Sequence, residues 1–393
     1  MNTFSEEEKL LYQLLDLSLH PDKRIKIDDT VDFSWDEVIS MAEKHGVLAL
    51  LYDVLARLER FSEECMKYVE KKSQQNVMQQ YRLLFLSRYL LELLKKNGIR
   101  ACLLKGSAAA FYYPQPELRK SGDIDIVLQD INKLEVARAL LEKCGFQLED
   151  DQLANHHLTF VSKEGIAIEL HSMFAEPFDN KKLNAYMEEV LQECETEYVN
   201  VMGANLRTLK RPFFAFHLLL HMMQHFLRSG FGLKLLCDWV LFWQEPTTQE
   251  DRECYLRLVK DAGIKGFSDV ITNVCVMYLG LEQRDVAWME LSADSPVEEF
   301  MREILDAEEF GKSGESRMVM MRGTGLLDYI REFHHQMHLN FPKAGKCFLF
   351  WPVLWVITLV KFLYNNQKVR NISTKEILKE AKRRSKLMEK IKI

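Results

Sequence analysis

Two aspartates, Asp123 and Asp125, interrupt an apolar run with one residue between them, in the sequence DIDIVL. Alternate residues of a strand project to the same face, so a strand here would place both carboxylates together, roughly 7 Å apart along the backbone. Two like charges on one face favour a cation between them, and hard oxygen ligands favour Mg²⁺ or Mn²⁺. The alternative is that one aspartate caps the loop entry and the other faces water.

Short strand patterns surround this run in a mostly helical chain. Apolar residues recur every three or four positions up to residue 96, which predicts helices, and Asn97-Gly98 ends the last of them. IRACLLKG, DIDIVL and IAIELH are strand patterns, and a hairpin is expected around 198–209. The sequence predicts the α+β class, with an N-terminal helical region (1–96), an α/β core with a small mixed sheet (97–210) and a C-terminal helical domain with a basic tail (211–393).

A Gly-Ser pair, Gly106-Ser107, lies where the first strand gives way to a short helix. Backbone N–H groups at such a junction attract phosphate, and glycine lets the phosphate approach the backbone closely. Ser107 as a helix N-cap is the alternative, and both roles can hold at once.

A third acid, Glu169, lies in the apolar run GIAIELH. If this strand pairs beside the DIDIVL strand, about 4.8 Å away, its carboxylate joins the other two. Three carboxylates can hold two metals about 3.5–4 Å apart and activate a hydroxyl for in-line attack on a phosphorus. This gives a chemical reason for burying like charges together.

Together, Gly106-Ser107, Asp123-Ile124-Asp125 and Glu169 resemble the nucleotidyltransferase fold of the DNA polymerase β superfamily. The fuller pattern LLKGSAAAFYYP, LRKSGDIDIVL and IELH, followed by HLLLH and GLKLLCDW, is similar to an uncharacterised bacterial nucleotidyltransferase family over roughly residues 97–245. The 15 residues between Ser107 and Asp123 exceed the spacing usual in the wider superfamily.

This resemblance implies a metal-dependent enzyme that transfers a nucleoside monophosphate from an NTP such as ATP to an acceptor hydroxyl, with release of pyrophosphate. Asp123 and Asp125 would bind Mg²⁺ (or Mn²⁺), and Glu169 would complete the second metal site and act as, or orient, the general base. The residues implied at the triphosphate are Lys105, Gly106, Ser107 and Arg119. For the lysine and the arginine of that set, surface charge near a loop is the alternative.

Four residues are candidates for the acceptor pocket: His171, His221, Lys234 and Asp238. His171 is expected to face the side of its strand opposite to Glu169 unless the strand ends there. It is either a hydrogen-bond donor at the edge of the site or a histidine packed at the end of the strand. His221 is the middle of three histidines spaced four apart, which favours packing on one helix face, since the zinc pattern H-E-x-x-H is absent. Lys234 and Asp238 form either a helical ion pair or a wall of the pocket.

Charge is unevenly distributed along the chain. The net charge is -6, yet residues 361–393 carry 11 Lys/Arg against 3 Asp/Glu. The acidic remainder disfavours long nucleic-acid substrates, so a small molecule, sugar or protein is the expected acceptor. The apolar run CFLFWPVLWVITLV is too short to span a membrane, which leaves open an interfacial contact by residues 347–393. Scattered cysteines without a C-x-x-C pair predict reduced thiols in a cytoplasmic protein.

Two other function classes remain open. A catalytically inactive nucleotide-binding or regulatory module would keep the fold without turnover, although all three acids are present. A D-x-D glycosyltransferase would need a larger nucleotide-sugar domain than residues 97–175 provide.

Overall fold

The structure is a computed structural model that describes residues 4–24, 32–58, 62–150, 157–178, 180–228, 230–308, 347–364 and 374–392, with positions 334, 337, 338, 341 and 344. Within these ranges, helices precede and follow one sheet of seven strands. The predicted α+β class with a mixed sheet and helical flanks is therefore confirmed.

The sheet combines parallel and antiparallel neighbours. Its strands are β1 (Ala101–Leu103), β2 (Asp123–Leu128), β3 (Gln147–Asp150), β4 (His157–Val161), β5 (Ala167–His171), β6 (Thr196–Val201) and β7 (Ala204–Leu209). Their order across the sheet is β3-β4-β5-β2-β1-β7-β6. β2 runs parallel to β5, and β1 runs parallel to β7. The hairpin expected around 198–209 is β6 and β7, and it extends the core sheet through β1.

The helices are distributed around this sheet. Before it lie α1 (Glu6–Leu19), α2 (Trp35–Lys44), α3 (Tyr52–Leu58) and α4 (Glu63–Lys96), while α5 (Leu134–Lys143) follows β2 and α6 (Lys181–Glu193) follows β5. After β7 come α7 (Arg211–Arg228), α8 (Leu233–Gln244), α9 (Gln249–Asp261), α10 (Lys265–Tyr278), α11 (Gln283–Val286), α12 (Val297–Ala307), α13 (Trp351–Tyr364) and α14 (Thr374–Ile391).

The long helix α4 supports the sheet. Ser62 caps its first turn by accepting a hydrogen bond from the backbone N–H of Cys65, and the helix ends at Asn97, as predicted. Its buried leucines recur at helical spacing along one side: Leu83, Leu84, Leu90, Leu91 and Leu94. Because this side packs against β1, β2 and β7, the helix covers the sheet beside the strand that carries the two aspartates.

The N-terminal helices also contact the C-terminal ones. The rings of Phe4 and Tyr278 lie 5.3 Å apart, and Glu8 on α1 pairs with Arg302 on α12 at 2.6 Å. The two helical flanks therefore share a packed interface, and the boundaries at residues 96 and 210 stay predictions.

Helices α7 and α8 pack beside the sheet: α7 contacts β7, and α8 contacts the 3₁₀ helix Ala109–Tyr112 between β1 and β2. The apolar and aromatic residues of α8 are buried from Leu233 to Trp243, and the indole N–H of Trp239 donates to Thr272 on α10 at 3.0 Å. Because protein interiors are closely packed, a buried helix of this kind is a rigid support for the residues that contact it. None of the described helices has both the length and the apolar character needed to cross a bilayer.

Candidate active site

Neighbouring strands bring the predicted carboxylates together. β2 and β5 are parallel and in register, with Asp125 beside Glu169 and Asp123 beside Ala167. Isoleucines alternate with the aspartates and face the core, since Ile124 and Ile126 are buried. Asp125 is only 2% exposed, whereas the side chain of Asp123 at the strand start is 38% exposed. The predicted pairing of the two strands is confirmed.

His171 belongs to the same cluster. Its Nε2 lies 3.2 Å from Asp125 Oδ1 and 3.2 Å from Glu169 Oε2. The expectation that His171 faces away from Glu169 was wrong, because residues two positions apart on a strand share a face. The ring of His157, at the start of β4, lies 5.4 Å from that of His171.

Lys105 supplies a cation to this cluster from the loop after β1. Its Nζ lies 3.3 Å from Asp125 Oδ2 and 3.7 Å from Asp123 Oδ2. The backbone fixes this approach, since the N–H of Leu104 donates to the carbonyl oxygen of Asp125 at 3.1 Å. The side chain is 17% exposed, so Lys105 is a partly buried partner of the carboxylates, and the alternative of a surface charge does not hold.

These charges keep one another ionised. Burial opposes the charge of Lys105, but the fields of Asp123, Asp125 and Glu169 outweigh it and raise the pKa of the ammonium. Burial likewise opposes the charge of Asp125, and Lys105 and His171 together lower the pKa of this carboxyl. The hydrogen bond from His171 lowers the pKa of Glu169, burial acting against it. Despite burial, its two carboxylate partners raise the pKa of His171 to about 9.

Lys105 also connects the carboxylates to α7. Its Nζ lies 3.0 Å from Nε2 of His221, and because an ammonium can only donate, the imidazole nitrogen accepts and His221 is neutral. Burial, and then the charge of Lys105, lower the pKa of His221 well below its usual value. His217, one turn earlier, donates from Nδ1 to the carbonyl oxygen of Phe174 at 2.7 Å. Burial lowers the pKa of His217 to about 3.

The Gly-Ser segment forms a tight turn next to the aspartates. Gly106 has a φ of +63°, a region that favours glycine, and a Cβ there would lie 3.5 Å from the carbonyl oxygen of Asp123. Ser107 is buried. The helix expected after it is a four-residue 3₁₀ helix, Ala109–Tyr112, without a side-chain cap. The turn therefore presents little helix dipole, and any phosphate contact would come from its backbone N–H groups and the hydroxyl.

Arg119 and Asp238 are buried against each other behind this turn. Arg119 Nε and Nη2 each donate at 2.7 Å to one oxygen of the Asp238 carboxylate. Arg119 Nη1 also donates to the carbonyl oxygen of Gly106 at 3.1 Å and to Ser121 Oγ at 2.6 Å. Tyr113 adds a third hydrogen bond to Asp238, at 2.7 Å. Arg119 is thus not a surface charge, and the pair ties the Gly106 turn to α8.

The two acceptor-pocket candidates on α8 therefore differ in their surroundings. Asp238 is buried with Arg119 and Tyr113, while Lys234 is half-buried one turn earlier. The positive charge of Lys234 contributes to the low pKa of His221, after burial, Lys105 and the neighbouring histidines.

The cluster has the composition of a divalent-cation site. Single ligand atoms of Asp125, Glu169 and His171 all lie within 4.8 Å of one another. Asp125 Oδ2 is buried and receives no well-aligned hydrogen bond from the described residues. Carboxylate oxygens with one imidazole suit Mn²⁺ as well as Mg²⁺, so the residues present fit a bound divalent cation.

Sequence reasoning missed Tyr113 and Ser121 as parts of this neighbourhood. Both lie in the segment between Ser107 and Asp123, where Tyr113 donates a hydrogen bond to Asp238 and Ser121 accepts one from Arg119. The length of that segment was the available signal, because it contains two 3₁₀ helices and the buried arginine contact.

Comparisons with known proteins identify the family of this chain. A model of the family described as "uncharacterised nucleotidyltransferase" matches residues 31–280. None of the curated proteins matches the chain. Among solved structures, an antigenic nucleotidyltransferase-like protein from Paracoccidioides brasiliensis matches with 18% sequence identity and a TM-score of 0.30, over 45% of this chain and 87% of that one. This likeness is too low for conclusions to be transferred between the two proteins. The family match includes the whole sheet and all three carboxylates, and the chain belongs to the uncharacterised nucleotidyltransferase family.

Proposed function

We propose that this protein is a metal-dependent nucleotidyltransferase that moves an NMP group from an NTP to an acceptor hydroxyl and releases pyrophosphate. The observation that carries the proposal is the meeting of Asp123, Asp125 and Glu169 on the neighbouring interior strands β2 and β5, around the ammonium of Lys105. Acids gathered this closely are costly unless cations neutralise them. Family membership adds that the transferred group is a nucleotide.

The carboxylates would hold Mg²⁺ or Mn²⁺, with His171 as an additional nitrogen ligand. Bound there, the divalent cation would neutralise phosphate charge and lower the pKa of the attacking hydroxyl. Asp125, the most buried acid, would bind most rigidly because β1 and β5 hold its strand on both sides. Glu169 would orient or deprotonate the acceptor hydroxyl, since its lowered pKa keeps it ionised at neutral pH.

The triphosphate would lie against the turn of Gly106 and Ser107, beside Lys105. Because Gly106 has no Cβ, no side chain lies between this turn and the carbonyl oxygen of Asp123. Arg119 would act by holding the turn through the Gly106 carbonyl oxygen, because its other donors already contact Asp238 and Ser121. ATP is the proposed donor, and a hydroxyl of a small molecule, sugar or protein is the proposed acceptor. The eight free cysteines, four of them buried, support a reducing cytoplasmic location.

A direct test measures pyrophosphate release with each of the four NTPs, with and without Mg²⁺ or Mn²⁺. Thermal stability is followed in the same samples. We expect a metal-dependent rise in melting temperature for at least one NTP, and its loss in Asp123→Asn. Asp123 is the residue chosen for substitution because its side chain is partly exposed, so replacing it leaves the packing of the core intact. Glu164→Gln, an exposed acid on the β4–β5 turn, is the matched control. Equal behaviour of the two variants would refute the proposed site.

The second candidate is a catalytically inactive nucleotide-binding module. It is favoured by one observation: Lys105 and His171 already neutralise the acids, with Nζ 3.3 Å and Nε2 3.2 Å from Asp125. Two resident cations could replace a metal permanently. Stabilisation by NTP that is the same in EDTA as in Mg²⁺, without pyrophosphate release in the presence of any acceptor, would establish this alternative.

A further inference from the structure

The ammonium of Lys105 lies between acceptor groups from two different parts of the fold. On the sheet side, Nζ is 3.3 Å from Asp125 Oδ2 and 3.7 Å from Asp123 Oδ2. On the helix side, it is 3.0 Å from Nε2 of His221 on α7. An ammonium has three N–H donors and no acceptor, so one donor can be directed to each of these groups. Lys105 therefore has an acceptor that does not belong to the carboxylate cluster.

The tautomer of His221 follows from its neighbours. Nε2 of His225 lies 3.1 Å from the same nitrogen of His221, and the two rings meet edge to face with centroids 4.5 Å apart. Because Lys105 can only donate, Nε2 of His221 carries the lone pair and the proton of this neutral imidazole is on Nδ1. That Nδ1 is buried and has no hydrogen-bond partner among the described residues. An unpartnered buried N–H is destabilising, so the imidazole keeps this orientation at a cost to stability.

Helix α7 fixes the imidazole from both sides along the chain. One turn earlier, His217 donates from Nδ1 to the carbonyl oxygen of Phe174 at 2.7 Å. Further along the helix, the ring of Phe226 stacks on that of Phe300 with centroids 4.9 Å apart. Close packing of this kind restricts movement of the helix. His221 is thus a fixed acceptor, whereas the lysine that it contacts has a flexible four-carbon stem.

We propose that His221 is a positioning residue that keeps Lys105 beside the Gly106 turn when the carboxylates hold a divalent cation. The inference rests on the proposed function. Once Asp123 and Asp125 share their charge with that cation, like-charge repulsion disfavours the ammonium next to them. The contact with the neutral imidazole is not opposed in this way and keeps one N–H donor. The other two donors are then free for phosphate oxygens of the NTP, so the lysine changes from a counter-cation of the acids into a ligand of the triphosphate.

Loss of the imidazole acceptor should weaken metal binding. In His221→Phe the carboxylates are the acceptors left to Lys105, so the ammonium competes more strongly with a divalent cation for the same oxygens. The electron paramagnetic resonance signal of free Mn²⁺, recorded without nucleotide, gives the dissociation constant. We expect this constant to rise about tenfold, as for the loss of a hydrogen bond to a charged group. In the same variant, the KM for NTP should rise more than kcat falls.

A double-variant cycle tests whether His221 acts through Lys105. Lys105→Met removes the competing ammonium, so adding His221→Phe to it should leave the Mn²⁺ dissociation constant unchanged. His217→Phe is the matched control, since this histidine lies on the same helix but contacts the carbonyl oxygen of Phe174. It should lower the melting temperature without changing the constant. An effect of His221→Phe that is absent, or that is the same with and without Lys105, would overturn the proposal.

The tautomer gives a second readout, in the metal-free protein. Long-range ¹H–¹⁵N spectra of the full chain labelled at histidine should show a protonated Nδ1 and a bare Nε2 for His221, whose signals are identified by their absence in His221→Phe. A protonated Nε2 would refute the contact with Lys105. If the wild type binds no Mn²⁺, the metal site of the proposed function fails, and the movement of the lysine fails with it. If Mn²⁺ binds but the double-variant cycle fails, the role of His221 alone is refuted.

Discussion

Arg119 and Asp238, 119 positions apart in the sequence, form a buried ion pair through two hydrogen bonds of 2.7 Å. The arginine faces the Gly106 turn and the aspartate lies on α8, so the pair joins the loop beside the carboxylates to the C-terminal helices. Guanidinium geometry suits this two-point contact better than an ammonium would.

Asp238→Asn should destabilise the protein by roughly 3 kcal/mol or more, since one partner of a buried pair is left uncompensated. Urea unfolding measures the loss. Glu63→Gln breaks a pair on α4 whose side chains are 69% and 83% exposed and should change stability by less than about 1 kcal/mol. If the two substitutions lowered the free energy of unfolding equally, the buried pair would stabilise the protein no more than the exposed pair does.

Gly106→Ala should destabilise by about 1–2 kcal/mol through its left-handed backbone alone, because the new Cβ meets only an ordinary contact at 3.5 Å. Gly122→Ala, in the same loop, has no positive φ and no atom within 4 Å of its Cβ, so its cost should be close to zero. The same unfolding experiment compares the two variants. If the strained turn also positions phosphate, only Gly106→Ala should raise the KM for NTP.

The stability of the metal-free protein should fall as the solution becomes alkaline. The pKa of His171 rises from 6.5 to about 9 on folding. Protonated His171 therefore adds on the order of 3 kcal/mol to the free energy of unfolding. This stabilisation is complete below pH 6.5 and is lost as the pH rises through 9. Melting temperatures in EDTA between pH 6 and 10 test this. His171→Gln should flatten the profile in this window, and an unchanged slope would contradict the assignment.

Lys105→Met should destabilise the metal-free protein by roughly 3–5 kcal/mol, because three carboxylates then lie together without this cation. Mg²⁺ should restore more stability to Lys105→Met than it adds to the wild type, since the divalent cation replaces the missing charge. Lys210→Met is the matched control: its partner Glu195 is 65% exposed, so Mg²⁺ should have no extra effect there. Equal Mg²⁺ responses in wild type and Lys105→Met would contradict the arrangement.

Local patterns predicted the strands and the carboxylates well. Asp123, Asp125 and Glu169 were identifiable because alternation along a strand is set by the backbone and needs no tertiary information. The same rule, correctly applied, would have placed His171 beside Glu169. Its orientation could therefore have been predicted.

The partner of Asp238 could not be predicted in the same way. Spacing along α8 pointed to Lys234, four residues away, whereas the structure joins Asp238 to Arg119 from a distant loop. The cation that pairs with a buried acid is decided by how helices and loops pack together. The residue pattern of a single helix does not contain this information. The contact between Lys105 and His221 across 116 positions has the same origin.

The interface between α1 and the C-terminal helices has a consequence for how the chain is made. Glu8 meets Arg302 across 294 positions, so a ribosome must add all of these residues before α1 can contact its partner on α12. Contacts of such long sequence separation form slowly. During synthesis, the part of α1 that later meets α10 would remain uncovered, so the nascent chain would expose apolar surface at that stage.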